Sequence, residues 1–426
     1  MKSQPPEWRR LDNAAKIFPP TSTKSDPKVF RFTCELTEEV APQVLCSALN
    51  ETLRIFPFFR SVLHKGMFWY YFEDSTLKPE VSEENLPLCA PLYNKNEKQL
   101  LFRVFYYRNR INLEVYHALC DGTGALDFLR VLVYHYLTIK YPEELGQAEP
   151  PISREASVSQ KMDDSFQKYY KKANLKMDRQ EWAYRLRGSR LPQYRLRIVE
   201  GILSVRAVLK KAKEYHATMT QFLTAVLMCA VHGVMNLRDE KKPVVVTVPV
   251  NLRKYFPSES ARNFFSVINV ACRFEQQENF QQVVDKVGEV FHRELTQERL
   301  GARMNKLAAL EHNYFARAVP LAVKDVSLYF ANLIAEKQVS VALSNIGRIN
   351  MPPEFEPYIR LFDVFTSTKK LQICMCSYQD NLVLSFTSPF VSMEIQRRFF
   401  RVLTQMGLEV TIVTNPDNEE AENAIL

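Results

Sequence analysis

Residues 100 to 136 leave this chain little freedom. Two extended runs, 100–107 and 111–117, are joined by the polar turn Arg108-Asn109-Arg110 and lead without a linker into a helical pattern. In the second run Ile111, Leu113, Val115 and His117 share one parity. The period of two therefore turns the imidazole toward the apolar side, with Asn112, Glu114 and Tyr116 pointing the other way. Ala125, Leu126, Phe128, Leu129, Leu132, Val133 and Tyr136 then form one helix stripe, and Asp121-Gly122-Thr123-Gly124 makes the strand-to-helix turn. A strand that buries one face and a helix that buries one stripe must cover each other, which calls for sheets layered with helices. It also places an inward histidine at a strand end, where such sheets present functional groups.

The rest of the chain follows the same grammar. From Thr37, Val40, Val44, Leu45, Ala48, Leu49 and Leu53 fall at helical spacing, with Thr37 available as a cap, and FFRSVL and MFWYYF after Pro57 look like short strands. Between Tyr141 and Tyr194 the character turns polar, with Pro142, Pro150 and Pro151 near the start, and the domain linker is expected there. Beyond it come extended YRLRIVEGILS, helices over 205–235, strands VVVTVPVNLR and FSVINVACRF, a helical region from 278 to about 335, strands QVSVALSN, LQICMC and NLVLSF, and a last helix over 392–406. Strands and helices alternate without the rhythm of a barrel. The expected fold is α/β (α+β): two mixed sheets flanked by helices, residues 1–170 forming an N-terminal subdomain and 171–426 a C-terminal one.

Several functions lose their support. Gly numbers 11 against 23 Pro, and GxGxxG, GxxxxGK[ST] and GxSxG are all absent, which removes the main motifs for dinucleotide, P-loop and nucleophile-elbow chemistry. The net charge of +8 is scattered, its densest clusters being Lys171-Lys172 and Arg185 to Arg190. That is too diffuse for a nucleic-acid stripe, yet a positive field attracts an anionic cofactor or an acidic carrier. The 8 Cys form no CxxC, so a zinc or thioredoxin site is unsupported and a reducing cytoplasm is the simplest compartment. MKSQPPEWRRLD lacks an apolar signal core. The stretch Phe222 to Leu237, broken by His232 and Gly233, falls short of a bilayer span.

Taken singly, His117 reads as a core histidine and Asp121 as a helix cap. Together they spell HxxxDG, a string that a chain with 7 His and few Gly contains by chance on the order of one time in a hundred. HALCDG resembles the HxxxDG signature of the chloramphenicol acetyltransferase-like superfamily, which includes plant acyltransferases, peptide-synthetase condensation domains and polyketide-associated acyltransferases. FPFFRSVL, VPVNLR, RNFFSVINV and LSNIGRI are similar to further strands of that family, and the chain is most similar to its alcohol acetyltransferase-like branch. It departs from condensation domains in carrying Tyr116 where they place a second histidine, and from plant enzymes in having FDVF at 362–365 where they have DFGWG.

The resemblance implies two similar subdomains with a tunnel between them, a small alcohol or amine acceptor entering from one side and an acyl-coenzyme A from the other, with no permanently bound cofactor and no metal. It implies His117 as a general base acting without an acyl-enzyme, and a structural Asp121 paired with an arginine, best matched by Arg253 at the end of VPVNLR. The residues alone read Arg253 equally well as a solvated charge. Ser344 or Asn345 is the candidate oxyanion donor, although Ser-Asn-x-Gly is also ordinary turn chemistry. Gly122 is assigned a tight turn beside the tunnel. Other candidates yield to simpler accounts: His135 and His232 sit in apolar helices, His216 precedes a helix cap, Cys120 lacks further ligands nearby, and Cys374 and Cys376 fall on one side of a strand. Two alternatives stay open, a donor bound to an acyl carrier protein in lipid, peptide or polyketide assembly, and a non-catalytic binding protein that keeps the tunnel.

Overall fold

β-branched and aromatic residues in period-two runs supply the strands. The computed structural model describes residues 8–152, 164–170, 181–192, 195–275, 278–312 and 318–415. The Lys171-Lys172 cluster and much of the expected linker lie outside the described residues. In chain order the strands are β1 (Trp8–Arg10), β2 (Val29–Leu36), β3 (Ser61–Lys65), β4 (Tyr70–Asp74), β5 (Val81–Glu83), β6 (Phe102–Tyr107), β7 (Arg110–Tyr116), β8 (Arg197–Ser204), β9 (Val244–Asn251), β10 (Phe265–Cys272), β11 (Val341–Arg348), β12 (Ile359–Thr366), β13 (Gln372–Tyr378), β14 (Asn381–Ser388) and β15 (Thr411–Thr414).

Two mixed sheets flanked by helices form the body. A five-stranded sheet has the order β12-β2-β7-β6-β5, and a seven-stranded sheet runs β10-β9-β11-β13-β14-β8-β15. A small antiparallel sheet, β1-β4-β3, joins them among the described residues. The expected hairpin is β6–β7, its turn carrying Arg108 in the left-handed region. In β7 the face opposite His117 is buried rather than wet: Glu114, fully enclosed, accepts from Arg31 Nε at 2.9 Å, Arg103 Nε at 2.7 Å and the Cys89 amide at 2.7 Å. A buried carboxylate persists only when its oxygens are satisfied in this way.

Helices cover the sheets. The first long one, Pro42–Ile55, packs on the helix Gly122–Lys140 over the five-stranded sheet, and the apolar Met219–His232 lies in the core of the other. Thr37 does not cap Pro42–Ile55. Proline fits the first helical turn, so the helix starts at Pro42 behind Ala41, and the Thr37 hydroxyl donates to the Pro357 carbonyl instead.

β12 was absent from the strands expected. It lies late in the chain yet pairs antiparallel with β2, Phe362 opposite Cys34 and Val364 opposite Phe32, so the late segment completes the sheet begun by the early one. Its Asp363 is fully buried with Arg110 Nη1 at 3.4 Å, and the charges of both act on the buried Glu200 of β8. Burial, followed by the charge of Asp363, pushes Glu200 from 4.5 up to about 8. The folded protein thus holds a proton that the unfolded chain releases, and stability declines as pH rises from about 4.5 to about 8. Glu200→Gln should flatten that decline; urea titrations at pH 5.5 and 8.5 that fall equally in both proteins would refute it.

Candidate active site

The turn after β7 is organised by one carboxylate. Asp121 caps the helix Gly122–Lys140, Oδ1 accepting from the amides of Thr123 and Gly124 at 3.1 Å each. Oδ2 accepts from Arg253 Nη1 at 2.7 Å and from the Phe264 amide at 2.9 Å. Arg253 is therefore no solvated charge: its guanidinium also donates to the carbonyls of Ser260 and Arg262, at 2.8 and 2.6 Å. With every lone pair engaged by the fold, Asp121 has no capacity left for a reacting group.

His117 follows the end of β7, half-buried, its backbone amide bonded to the Lys28 carbonyl at 2.8 Å. The ring stacks on Phe18 at a centroid distance of 4.5 Å and meets the edge of Phe30 at 4.9 Å. Nδ1 lies 3.2 Å from Oδ1 of Asn263. Burial holds the imidazole below its ordinary 6.5, opposed chiefly by hydrogen bonding and by Asp121, so the neutral ring prevails at pH 7.

The ring lines a cavity of about 240 Å³ walled by both large sheets. Phe30 and Phe32 of β2 and Val364 to Thr366 of β12 form one side, Pro249 to Asn251 of β9 and Ser344 to Ile346 of β11 the other. The opening has a backbone cause. Parallel β9 and β11 pair only at Val246–Val341 and Thr247–Ala342, and β11 carries a bulge between Asn345 and Gly347, so the two strands part where the cavity lies between them. Asp121, Gly122, Ser344 and Asn345 all reach this cavity, while Arg253 stands behind it as the partner of Asp121.

Asn345 is tied into the turn: its Nδ2 donates one hydrogen to Thr220 at 2.8 Å and its Oδ1 accepts from the Gly347 amide at 2.8 Å, so its second N–H and the half-buried Ser344 hydroxyl are the remaining donors. Gly122 needs no left-handed backbone, since its φ is not in that region. A Cβ there would meet Cδ1 of Ile346 at 3.2 Å and Cζ of Phe32 at 3.8 Å, both side-chain ends, whereas one on Gly124 would lie 1.9 Å from the Ala261 carbonyl oxygen. The close approach that demands glycine is at 124.

Asn263, Phe18 and the cavity wall from β12 were not singled out in the sequence. Asn263 had a faint signal, an amide residue heading the strand RNFFSVINV, but Phe18 lies in a region without usable periodicity. Cys374 also lines the cavity; burial raises its thiol to about 12, which removes it as a nucleophile at neutral pH. Cys120 is enclosed, and no cluster of metal-ligating side chains is found among the described residues. His232 stacks on Phe274 at 4.0 Å.

The model of the alcohol acetyltransferase family matches residues 151–381. No curated protein sequence matches the chain. Among solved structures, TRI101 of Fusarium sporotrichioides complexed with coenzyme A and T-2 superposes with a TM-score of 0.64 at 11% identity, covering 95% of this chain and 99% of the other. The trichothecene 15-O-acetyltransferase TRI3 of the same organism gives 0.59 at 11% identity, over 93% and 94%. A starter condensation domain of rhizomide synthetase, in complex with C8-CoA and Leu-SNAC, gives 0.61 at 11% over 94% of each chain. At these identities the likeness is one of fold. Because Gly124 must touch the Ala261 carbonyl, Gly124→Ala should lower stability by about 1–3 kcal/mol or more in thermal denaturation, while Gly122→Ala should melt at or above the parent; equal melting of the two variants would refute this account.

Proposed function

The chain belongs to the alcohol acetyltransferase family, and from that premise we propose that it transfers an acyl group from a coenzyme A thioester to a hydroxyl acceptor in the cavity between its sheets. One observation carries the reading: a neutral, aromatic-clamped imidazole lines a cavity to which both sheets contribute walls. That is the placement a general base needs in order to touch an acceptor and a donor at once.

With Nδ1 directed at Asn263, Nε2 of His117 keeps its lone pair. Nε2 takes the acceptor's hydroxyl proton as the oxygen attacks the thioester carbonyl. The tetrahedral oxyanion accepts a hydrogen bond from the Ser344 hydroxyl, the one member of the Ser344-Asn345 pair not tied into the turn. Collapse breaks the carbon–sulfur bond, and the imidazolium returns the proton to the leaving thiolate. Ester and free thiol result, with no covalent enzyme intermediate. Desolvation in the half-closed cavity strengthens the hydrogen bond to the oxyanion, and holding two substrates in line supplies the remainder. Among the solved structures, those complexed with coenzyme A or C8-CoA favour a pantetheine thioester as donor. A carrier-bound donor would present the same arm and the same reacting atoms.

Two measurements test this. His117→Ala should lower thiol release from acyl-coenzyme A in the presence of alcohols by at least ~10²- to 10⁴-fold with unchanged melting temperature; undiminished turnover sinks the mechanism. Because the imidazole must be neutral and burial keeps its pKa below 6.5, kcat/KM should hold steady near pH 7 and fall only below 6.5. An acid limb above 6.5 would contradict the assignment.

A further inference from the structure

We infer that Asn263 is a positioning residue for His117, and that Asp12 of the N-terminal segment orients its amide so that Nδ1 of the imidazole always carries the proton. The consequence for catalysis rests on the acyltransferase reading; the tautomer itself does not.

An amide has one donor end and one acceptor end, and its other neighbours decide which faces the ring. Nδ2 of Asn263 lies 3.5 Å from the Ala118 carbonyl oxygen, a group that only accepts, and 3.3 Å from Oδ2 of Asp12. The backbone amide of Asn263 donates to the same Oδ2 at 3.3 Å. Asp12 is fully enclosed; burial pushes it up to about 6, with Arg262 pulling it back, so at pH 7 it is ionised and also only accepts. The NH₂ end is thereby committed, and Oδ1 is the end 3.2 Å from Nδ1. An amide oxygen accepts, so Nδ1 must donate. The neutral ring has a single N–H, which leaves Nε2 bare.

Asp12 does a second thing. Its Oδ1 accepts from the Ala15 amide at 2.7 Å, ordering the turn that delivers Phe18 onto the face of the imidazole. One enclosed carboxylate thus governs both the tautomer and the clamp. An amide at this place also differs usefully from a carboxylate. It selects the tautomer without adding the negative charge that would raise the ring's pKa and protonate the base. The charged groups acting on the ring are Asp121, which raises its pKa, and Lys28, which lowers it; those acting on Asp12 include Arg262, Asp164 and Lys16. The carbonyl of His117 is a second acceptor for the ring, so loss of Asn263 should weaken the tautomer preference rather than invert it.

The test is ¹⁵N NMR of histidine-labelled full-length protein, in which ring nitrogens with and without hydrogen separate clearly. The set is the parent, Asn263→Ala, Asn263→Asp and Asp12→Asn, each checked by thermal denaturation, with kcat/KM measured against pH. In the parent Nδ1 should be protonated. Asn263→Ala should admit the Nε2–H tautomer and lower kcat/KM about tenfold or more. Asn263→Asp should raise the His117 pKa by about 1–3 units and move the acid limb upward with it. Asp12→Asn, isosteric and usable if the alanine variant is unstable, frees the Asn263 amide to rotate and should shift the tautomers in the same direction by less. Ring-nitrogen shifts and a His117 pKa indistinguishable from the parent in all three variants would overturn the proposal, even if stability fell. Shifted tautomers in a protein that turns over no thioester would uphold it while refuting the acyltransferase reading.

Discussion

The Asp121 carboxylate is the point at which helix, sheet and loop are tied together. It takes two amides from the helix Gly122–Lys140, the guanidinium that follows β9, and the amide just ahead of β10. A negative charge at a helix N-terminus is favoured by the aligned peptide dipoles, and the arginine supplies the countercharge that burial requires. Removing one partner of such a pair leaves an uncompensated buried charge, at a cost of about 3–5 kcal/mol. The geometry around His117 follows from this tie. His117 stands four positions before Asp121, and Asn263 is the residue directly ahead of the tied Phe264. Fixing Asp121 to Arg253 and Phe264 therefore carries the amide of Asn263 up to the imidazole.

The cavity depends on that tie in a second way. Drawing the Ser260–Phe264 loop against the helix leaves no room for a side chain at Gly124. Closure on that side contrasts with the opposite side, where β9 and β11 separate after two paired positions and leave a slot in an otherwise continuous sheet. A tight junction beside an open seam concentrates polar groups where the chain can still admit a ligand. Ser344 has its hydroxyl at the seam, while the next residue, Asn345, is drawn into the bulge through Thr220 and Gly347. Adjacent residues of one strand thus diverge in role because the bulge that follows Asn345 draws its side chain toward Thr220 and Gly347.

How much of this was legible follows from the range of each interaction. The β6–β7 hairpin, the inward parity of His117, and the helix with Asp121 at its head are local, and period and capping chemistry express them directly in residues 100–136. The apolar runs of β9, β10, β13 and β14 were readable for the same reason. β12 was not: charged Arg360 and Asp363 interrupt its apolar residues, because it lies against the ion pairs of Glu35 and Arg110 rather than a purely apolar core. Its pairing with β2 spans more than 300 positions, which no window of periodicity can register. The N-terminal segment failed differently. Asp12 and Phe18 act through a few contacts to Asn263 and His117, far away in the chain, and such contacts leave no pattern in a sequence.

The residue before His117 shows why one departure from the condensation-domain pattern leaves the cavity side of the site unchanged. Strand alternation sends Tyr116 and His117 to opposite faces. Tyr116 is fully enclosed, stacked on Tyr93 at 5.2 Å, and burial pushes its phenol well above the ordinary range, so it takes no part in proton transfer. Its hydroxyl lies 2.9 Å from Ser22 Oγ, which itself donates to the Phe18 carbonyl at 2.7 Å; with that hydrogen spent, the serine accepts and the tyrosine donates. The short helix Phe18–Thr21 is therefore held from below by Tyr116 while Phe18 presses on His117 from above. A second imidazole at 116 would point into the same core and away from the cavity. What the position determines is how firmly the N-terminal segment is seated on the ring, and the orientation of the His117 imidazole is set by residues on both sides of its own strand.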